Sequence, residues 1–115
     1  MPQYLLALYE SPAEFANMSP DQIQKIIEKY QAWTVKLEQS KRLVVSQKLR
    51  DDGGKVIRRK DGQVKVVDGP YSETKEVLGG YFLINAEGYD EAVRVCHDCP
   101  HLRYGGAIEL REIEA

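Results

Sequence analysis

Residues 4–9 read YLLALY, with apolar side chains at both odd and even positions. Strand side chains alternate between faces, so this run predicts a strand covered on both sides, at the centre of a sheet. Ser11-Pro12 closes it. Ile23, Ile26, Ile27, Tyr30, Trp33 and Leu37 then recur at three- and four-residue spacing, one stripe of a helix. Lys25, Glu28, Lys29, Lys36 and Glu38 fill the opposite face. Ser19-Pro20-Asp21-Gln22 supplies the start: Ser19 as N-cap, Pro20 at the first helical position, and Gln22 able to reach back to the Ser19 amide as a capping box. Met18 and Ile23 stand at the positions of a hydrophobic staple. Together these signals predict a one-sided helix over residues 20–40, packed on a sheet.

Residues 43–49 form a second strand candidate, followed by the turn Asp51-Asp52-Gly53-Gly54. Residues 55–59 and 63–67 flank Lys60-Asp61-Gly62, and Asp-Gly between β-prone runs predicts a hairpin because both residues tolerate positive φ. Lys55, Arg58, Arg59, Lys60 and Lys65 charge this hairpin and predict that it is exposed or near an edge. Residues 68–80, rich in Gly and polar side chains, read as a loop, and residues 81–86 as a strand. A shorter helix opens at Gly88-Tyr89-Asp90-Glu91, with Tyr89, Ala92, Val93 and Cys96 on one face, and Pro100 stops it. After the break at Gly105-Gly106, residues 107–113 alternate as a last strand, Ile108 and Leu110 against Glu109 and Arg111. The order β–α–β–hairpin–β–α–β predicts one α+β domain over residues 1–115, a ferredoxin-like sandwich with an inserted β-hairpin. Two helices cover one face of such a sheet. Leu5, Ala7 and Tyr9 lie opposite Tyr4, Leu6 and Leu8, and both sets are apolar, so the second face needs another cover, most simply a second copy of the chain. Seven tyrosines against two phenylalanines suit a partly wet interface or pocket.

A chain of 115 residues is too short for two domains with good cores, and 43% hydrophobic residues exclude a disordered chain. No apolar run approaches the ~20 residues of a membrane helix. A net charge of -2 and a pI near 5.7 argue against a general nucleic-acid binder. The start Met1-Pro2-Gln3-Tyr4 lacks the basic region of a signal peptide, so the expected location is the cytoplasm, with Cys96 and Cys99 as thiols. No P-loop, GxSxG or dinucleotide fingerprint is present.

Three segments carry candidate chemistry. In Asp68-Gly69-Pro70 the plain reading is a turn: Asp caps it, Gly supplies an unusual φ and Pro fixes the next dihedral. Glu73, Lys75 and Glu76 read first as a solvated salt-bridge patch; alternatively Lys75 binds an anionic substrate and Glu76 moves a proton. Cys96-His97-Asp98-Cys99-Pro100-His101 invites a zinc shell or a redox dithiol. On a helix, however, His97 points ~100° away from Cys96, and activated dithiols usually begin helices rather than end them, so no metal is expected. His101 reads as a pocket contact or as a surface histidine at a helix end. Arg58-Arg59-Lys60 has no aromatic platform beside it and reads as a hairpin tip, not a nucleic-acid contact.

The run Val67-Asp68-Gly69-Pro70-Tyr71-Ser72-Glu73-Thr74-Lys75-Glu76, followed by Leu78-Gly79-Gly80-Tyr81, resembles the signature of the YCII-related family in its DGPF branch, with Tyr71 where Phe is usual. The opening YLLALYE and the ending His101-Leu102-Arg103-Tyr104-Gly105-Gly106-Ala107-Ile108-Glu109 resemble the same branch. The resemblance implies a ferredoxin-like fold that dimerises into an α+β barrel. Some shorter relatives use, or are proposed to use, a histidine–aspartate pair, and one of them removes chloride from a hydroxylated aromatic ring. Their histidine lies in the first helix, whereas this chain has none before His97. With the resemblance, Asp68 becomes a candidate acid/base at a pocket mouth with Glu76 beside it. Gly69, Pro70, Tyr71, Lys75, Tyr81 and His101 become candidate substrate-binding residues. The expected function is then a homodimer that binds a small molecule, as a lyase or hydrolase needing no cofactor. The alternative is a non-enzymatic regulatory or interaction module, since family members are often encoded beside alternative sigma factors.

Overall fold

The double-sided apolar run becomes strand β1 (Gln3–Glu10), and it lies inside a sheet. The computed structural model describes residues 1–69 and 76–115, for Glu14 the backbone alone. After β1 come a short helical turn α1 (Pro12–Phe15), helix α2 (Pro20–Gln39) and strand β2 (Leu43–Lys48). Strands β3 (Lys55–Lys60) and β4 (Gln63–Asp68) follow, then β5 (Val77–Asn85), helix α3 (Tyr89–Cys96) and β6 (Ala107–Glu112). Four strands make an antiparallel sheet in the order β2-β5-β1-β6. β5 lies between β1 and β2, which α2 connects, and β1 lies between β5 and β6, which α3 connects. These two interleaved βαβ units are the ferredoxin-like arrangement. Among the described residues, β3 and β4 pair only with each other.

Helix α2 starts as its sequence dictates. Gln22 N–H donates to Ser19 Oγ at 3.2 Å, and Ser19 N–H donates to Gln22 Oε1 at 2.9 Å. Its stripe buries Ile26, Trp33 and Leu37, while Ile23 and Ile27 stay largely exposed at the outer margin. The core joins Trp33 and Leu37 to Tyr4, Leu6 and Leu8 of β1, Phe82 and Ile84 of β5, and Ala92 and Cys96 of α3. Trp33 meets Phe82 edge-on, their rings 4.9 Å apart. All these strand residues share one face. On the other, Val45, Leu83 and Leu5 lie side by side, as do Gln47, Tyr81 and Ala7.

Where Arg42 enters β2, its Nη1 donates to the Asn85 carbonyl at 3.4 Å and to Glu91 Oε1 at 2.5 Å, tying the ends of two strands to the first turn of α3. The Arg42 hydrogen bond holds the Glu91 carboxyl below its ordinary range. A carboxylate depressed by folding stabilises above its unfolded pKa, and that stability is lost as the pH falls through the folded value. Glu91→Gln is therefore expected to melt lower than wild type near pH ~7, with the gap closing towards pH ~3. Paired thermal melts across that range test it, and a constant gap would contradict it.

Two boundaries differ from the sequence pattern. Residues 77–80 lie in β5 rather than in a loop: Gly80 lets the β2 backbone approach closely and Gly79 leaves room for the Glu10 side chain, and neither makes a turn. Helix α3 does end ahead of Pro100, but Pro100 opens a 3-10 helix (Pro100–Tyr104) closed by Gly105 at φ 78°. The hairpin forms with Asp61 and Gly62 both at positive φ, as Asp-Gly predicts.

Candidate functional site

The signature segment hangs on the hairpin. Asp68 is the last residue of β4, opposite Lys55 at the start of β3. Lys55 Nζ lies 2.5 Å from Asp68 Oδ1, with the two side chains 64% and 89% exposed. The Gly69 N–H donates to the Gly54 carbonyl at 3.0 Å, which closes the base of the hairpin. Gly69 does not take the left-handed conformation its turn motif suggested. It is glycine for lack of room: a Cβ there would sit 2.6 Å from Val56 Cγ2. Pro70, Tyr71 and Lys75 lie outside the described residues, as do Ser72, Glu73 and Thr74. Glu76, just ahead of β5, is exposed. Tyr81 is half-buried on the sheet face that no helix covers.

His101 is placed differently. It is 3% exposed, which corrects the surface reading of this residue. Its Nε2 lies 2.6 Å from the Tyr9 carbonyl and its Nδ1 2.6 Å from the Tyr30 hydroxyl. A carbonyl only accepts, so Nε2–H donates to Tyr9, and Nδ1 shares the second hydrogen bond with the Tyr30 hydroxyl, itself able to donate. Burial, helped by Cys99, Glu10 and Tyr104, raises the Tyr30 phenol well above its ordinary pKa, so this donor keeps its proton. Gly106 leaves room for the ring, since a Cβ at that position would collide with it. Both nitrogens of His101 are thus occupied by the fold, which ties α2 to the end of β1. Tyr30 read as one more apolar position of the α2 stripe. The sole sequence hint of its role is a hydroxyl in a row otherwise of Ile, Trp and Leu.

The cysteine–histidine segment is not gathered into a ligand set. Cys96 and Cys99 are buried, and burial raises their thiols to about 11 and about 12. His97 is exposed, and Asp98 pairs with Lys36 at 3.0 Å. Among the described residues, no group of three or more His, Cys, Asp or Glu is placed to hold a metal ion. None of their helices is long and apolar enough to cross a membrane.

The described candidate residues therefore fall in three places. Asp68 and Gly69 stand together at the hairpin base, with exposed Glu76 beyond the undescribed segment. Tyr81 lies on the open sheet face and His101 inside the helix layer. The partner of Asp68 is Lys55, which the sequence had assigned to the hairpin alone. That face of the sheet carries Val45, Leu83, Leu5, Tyr81 and Tyr9, all half-buried, around a buried Ala7, with Glu109 and Arg111 exposed on the flanking β6.

Fold and signature segment together define an α+β protein of ferredoxin-like type with a hairpin between its two βαβ units. The chain belongs to the family of the YCII-related domain, whose model matches residues 2–115. An uncharacterised protein of Rhizobium meliloti (strain 1021) is 36% identical over 58 residues, which are 50% of this chain and 47% of that protein. The matched stretch thus spans about half of the curated relative. A solved structure of 5-chloro-2-hydroxyhydroquinone dehydrochlorinase from Burkholderia phenoliruptrix AC1100, in complex with 2,5-dihydroxybenzoquinone, is 19% identical with a TM-score of 0.45. It covers 97% of this chain and 93% of its own. The de novo designed protein Ferredog-Diesel is 17% identical with a TM-score of 0.40, covering 97% and 84%.

Proposed function

We propose that this protein is a DGPF-branch member that acts as a homodimer. The sheet face without helices closes against its copy as a dimeric α+β barrel, and a small molecule binds beside the signature segment. The observation that carries this reading is the open face itself. Leu5, Tyr9, Val45, Tyr81 and Leu83 form a contiguous apolar and aromatic surface on the two central strands and β2, where a single chain leaves them half-exposed. A surface of this kind is buried in a stable state, and tyrosine suits a seam that also borders a wet pocket.

In this reading Asp68 accepts a proton from the substrate as a carboxylate and returns it later, with Glu76 as the second carboxylate. Lys75 holds an anionic substituent. Gly69, Pro70, Tyr71 and Tyr81 form the wall. His101 takes no direct part, since both its ring nitrogens are already engaged by Tyr9 and Tyr30. Acid–base chemistry of this kind serves a lyase or hydrolase with no cofactor. The alternative is a regulatory or protein-interaction module linked to transcriptional control. It draws on the exposed Ile57, Val64 and Val66 of the hairpin and predicts no small ligand.

Light scattering on a sizing column at micromolar protein is expected to give about twice 13.1 kDa. A thermal-shift screen of small carboxylates and phenols then seeks a ligand. Asp68→Asn is expected to abolish the ligand-induced shift while leaving the unliganded melt nearly unchanged, because the exposed Lys55 pair is worth under ~1 kcal/mol. A shift that survives in Asp68→Asn and in Lys75→Met would put the ligand elsewhere. A clean monomer would remove the barrel.

A further inference from the structure

Among the described residues, no third strand pairs with the β3–β4 hairpin, which stands as an arm. It forms a two-stranded sheet of its own, and such hairpins are marginally stable in water unless packed. Ile57 pairs with Val66 and Arg59 with Val64, so alternation sets Ile57, Val64 and Val66 on one face. Val56, Val67, Arg58 and Lys65 share the other. On the first face Ile57 is 66% exposed, and Val64 and Val66 are each 57% exposed. The molecule is correspondingly spread out. Its radius of gyration is 16.0 Å, against ~13 Å for a compact chain of this length, and its extents are 47 × 42 × 19 Å.

We propose that the arm of each copy docks, through Ile57, Val64 and Val66, on the body of the second copy in the dimer. The inference rests on the dimer reading above and adds what the arm does in it. Charge selects the occupant. Residues 55–68 hold five Lys or Arg and two Asp, a net +3 in a chain of net -2, which leaves the remainder at -5. Two arms repel each other, so arm-to-arm pairing is disfavoured. An arm and the body of the other copy attract, and attraction of opposite charge also sets orientation. A two-fold pair uses each arm once and covers its Ile57, Val64 and Val66 face, so the assembly closes instead of building open-ended chains. The root of the arm is fixed by the Gly69–Gly54 hydrogen bond and by Val56 packed against Gly69. Asp68 and Gly69 end the arm, so docking brings the surface of the second copy beside the proposed site.

The test compares wild type with Ile57→Ser/Val66→Ser and with Lys60→Glu/Lys65→Glu. Dimer dissociation constants come from light scattering over a dilution series, and amide exchange of the arm is followed in wild type at both ends of that series. Each double variant is expected to raise Kd at least about tenfold, as is added salt for wild type. Exchange at residues 56–67 is expected to slow on dimerisation. An unchanged Kd in both variants, with arm amides exchanging equally fast in dimer and monomer, overturns the arm while the dimer stands. Equal protection in dilute monomer means the arm packs on its own body, and protection that appears only with added duplex DNA means a polyanion site; either overturns it. A wild type that never dimerises overturns the dimer reading and the arm together. The exchange measurement on wild type keeps the test valid if a variant misfolds.

Discussion

Replacing His101 with leucine is expected to lower the melting temperature by ~10 °C or more. Leucine fills much of the same space but bonds to neither neighbour. The Tyr30 hydroxyl and the Tyr9 carbonyl, both engaged by the buried ring at 2.6 Å, lose their partner. A buried polar group left unpaired costs ~1–3 kcal/mol, and a domain of this size loses roughly 4 °C per kcal/mol. Tyr30→Phe removes one of the two bonds and is expected to cost about half as much. The double variant Tyr30→Phe/His101→Leu should cost less than the sum of the singles, because the pair then leaves no orphan between them. Gly106→Ala attacks the same assembly sterically, since its Cβ would strike a ring pinned at both nitrogens. Calorimetry on the four variants tests the set. A His101→Leu melt within a couple of degrees of wild type would mean that the ring is not a structural tie.

Helix α2 was legible because its signals are local. The capping box, the proline and the stripe all lie within twenty residues, and the observed start and end follow them. The hairpin was legible for the same reason, through Asp61-Gly62. His101 was opaque because its meaning is distant: its two partners stand 71 and 92 positions away in the chain. Only the topology, which lays the 3-10 helix between α2 and the end of β1, brings them together. The β5 boundary failed through a rule that is usually sound. Glycine pairs commonly break the chain, but here the glycines make room for neighbours inside a sheet. At the candidate site, the Asp68-Gly69-Pro70 segment was visible as a motif. The Lys55 partner follows from hairpin register once Asp61-Gly62 fixes the turn. The open sheet face was legible from the apolar residues at both parities of β1, because alternation is a direct consequence of strand geometry.

The glycine pair itself gives the second large effect. Gly80→Ala is expected to destabilise by about 2–3 kcal/mol, while Gly79→Ala stays within ~1 kcal/mol of wild type. The two sites differ in what a new methyl would meet. At Gly80 it would sit 2.8 Å from the Gln47 carbonyl oxygen and 3.4 Å from Lys48 Cα. Those atoms belong to the backbone of β2, so the edge strand must lift away from β5 and its last pairs must loosen. At Gly79 the methyl would meet the carboxylate end of Glu10, a side chain at the sheet margin that can swing away. Neither glycine has a positive φ, so alanine adds no backbone strain at either, and at Gly79 it also reduces the freedom of the unfolded chain. The damage at Gly80 should be directional. Amide exchange is expected to quicken along residues 46–48 and not in β6. Tyr81, which follows Gly80 and pairs with Gln47, should shift with it and weaken the proposed dimer. Equal melts for the two alanine variants would mean that the β2 edge yields without cost and that close approach does not explain the glycine pair.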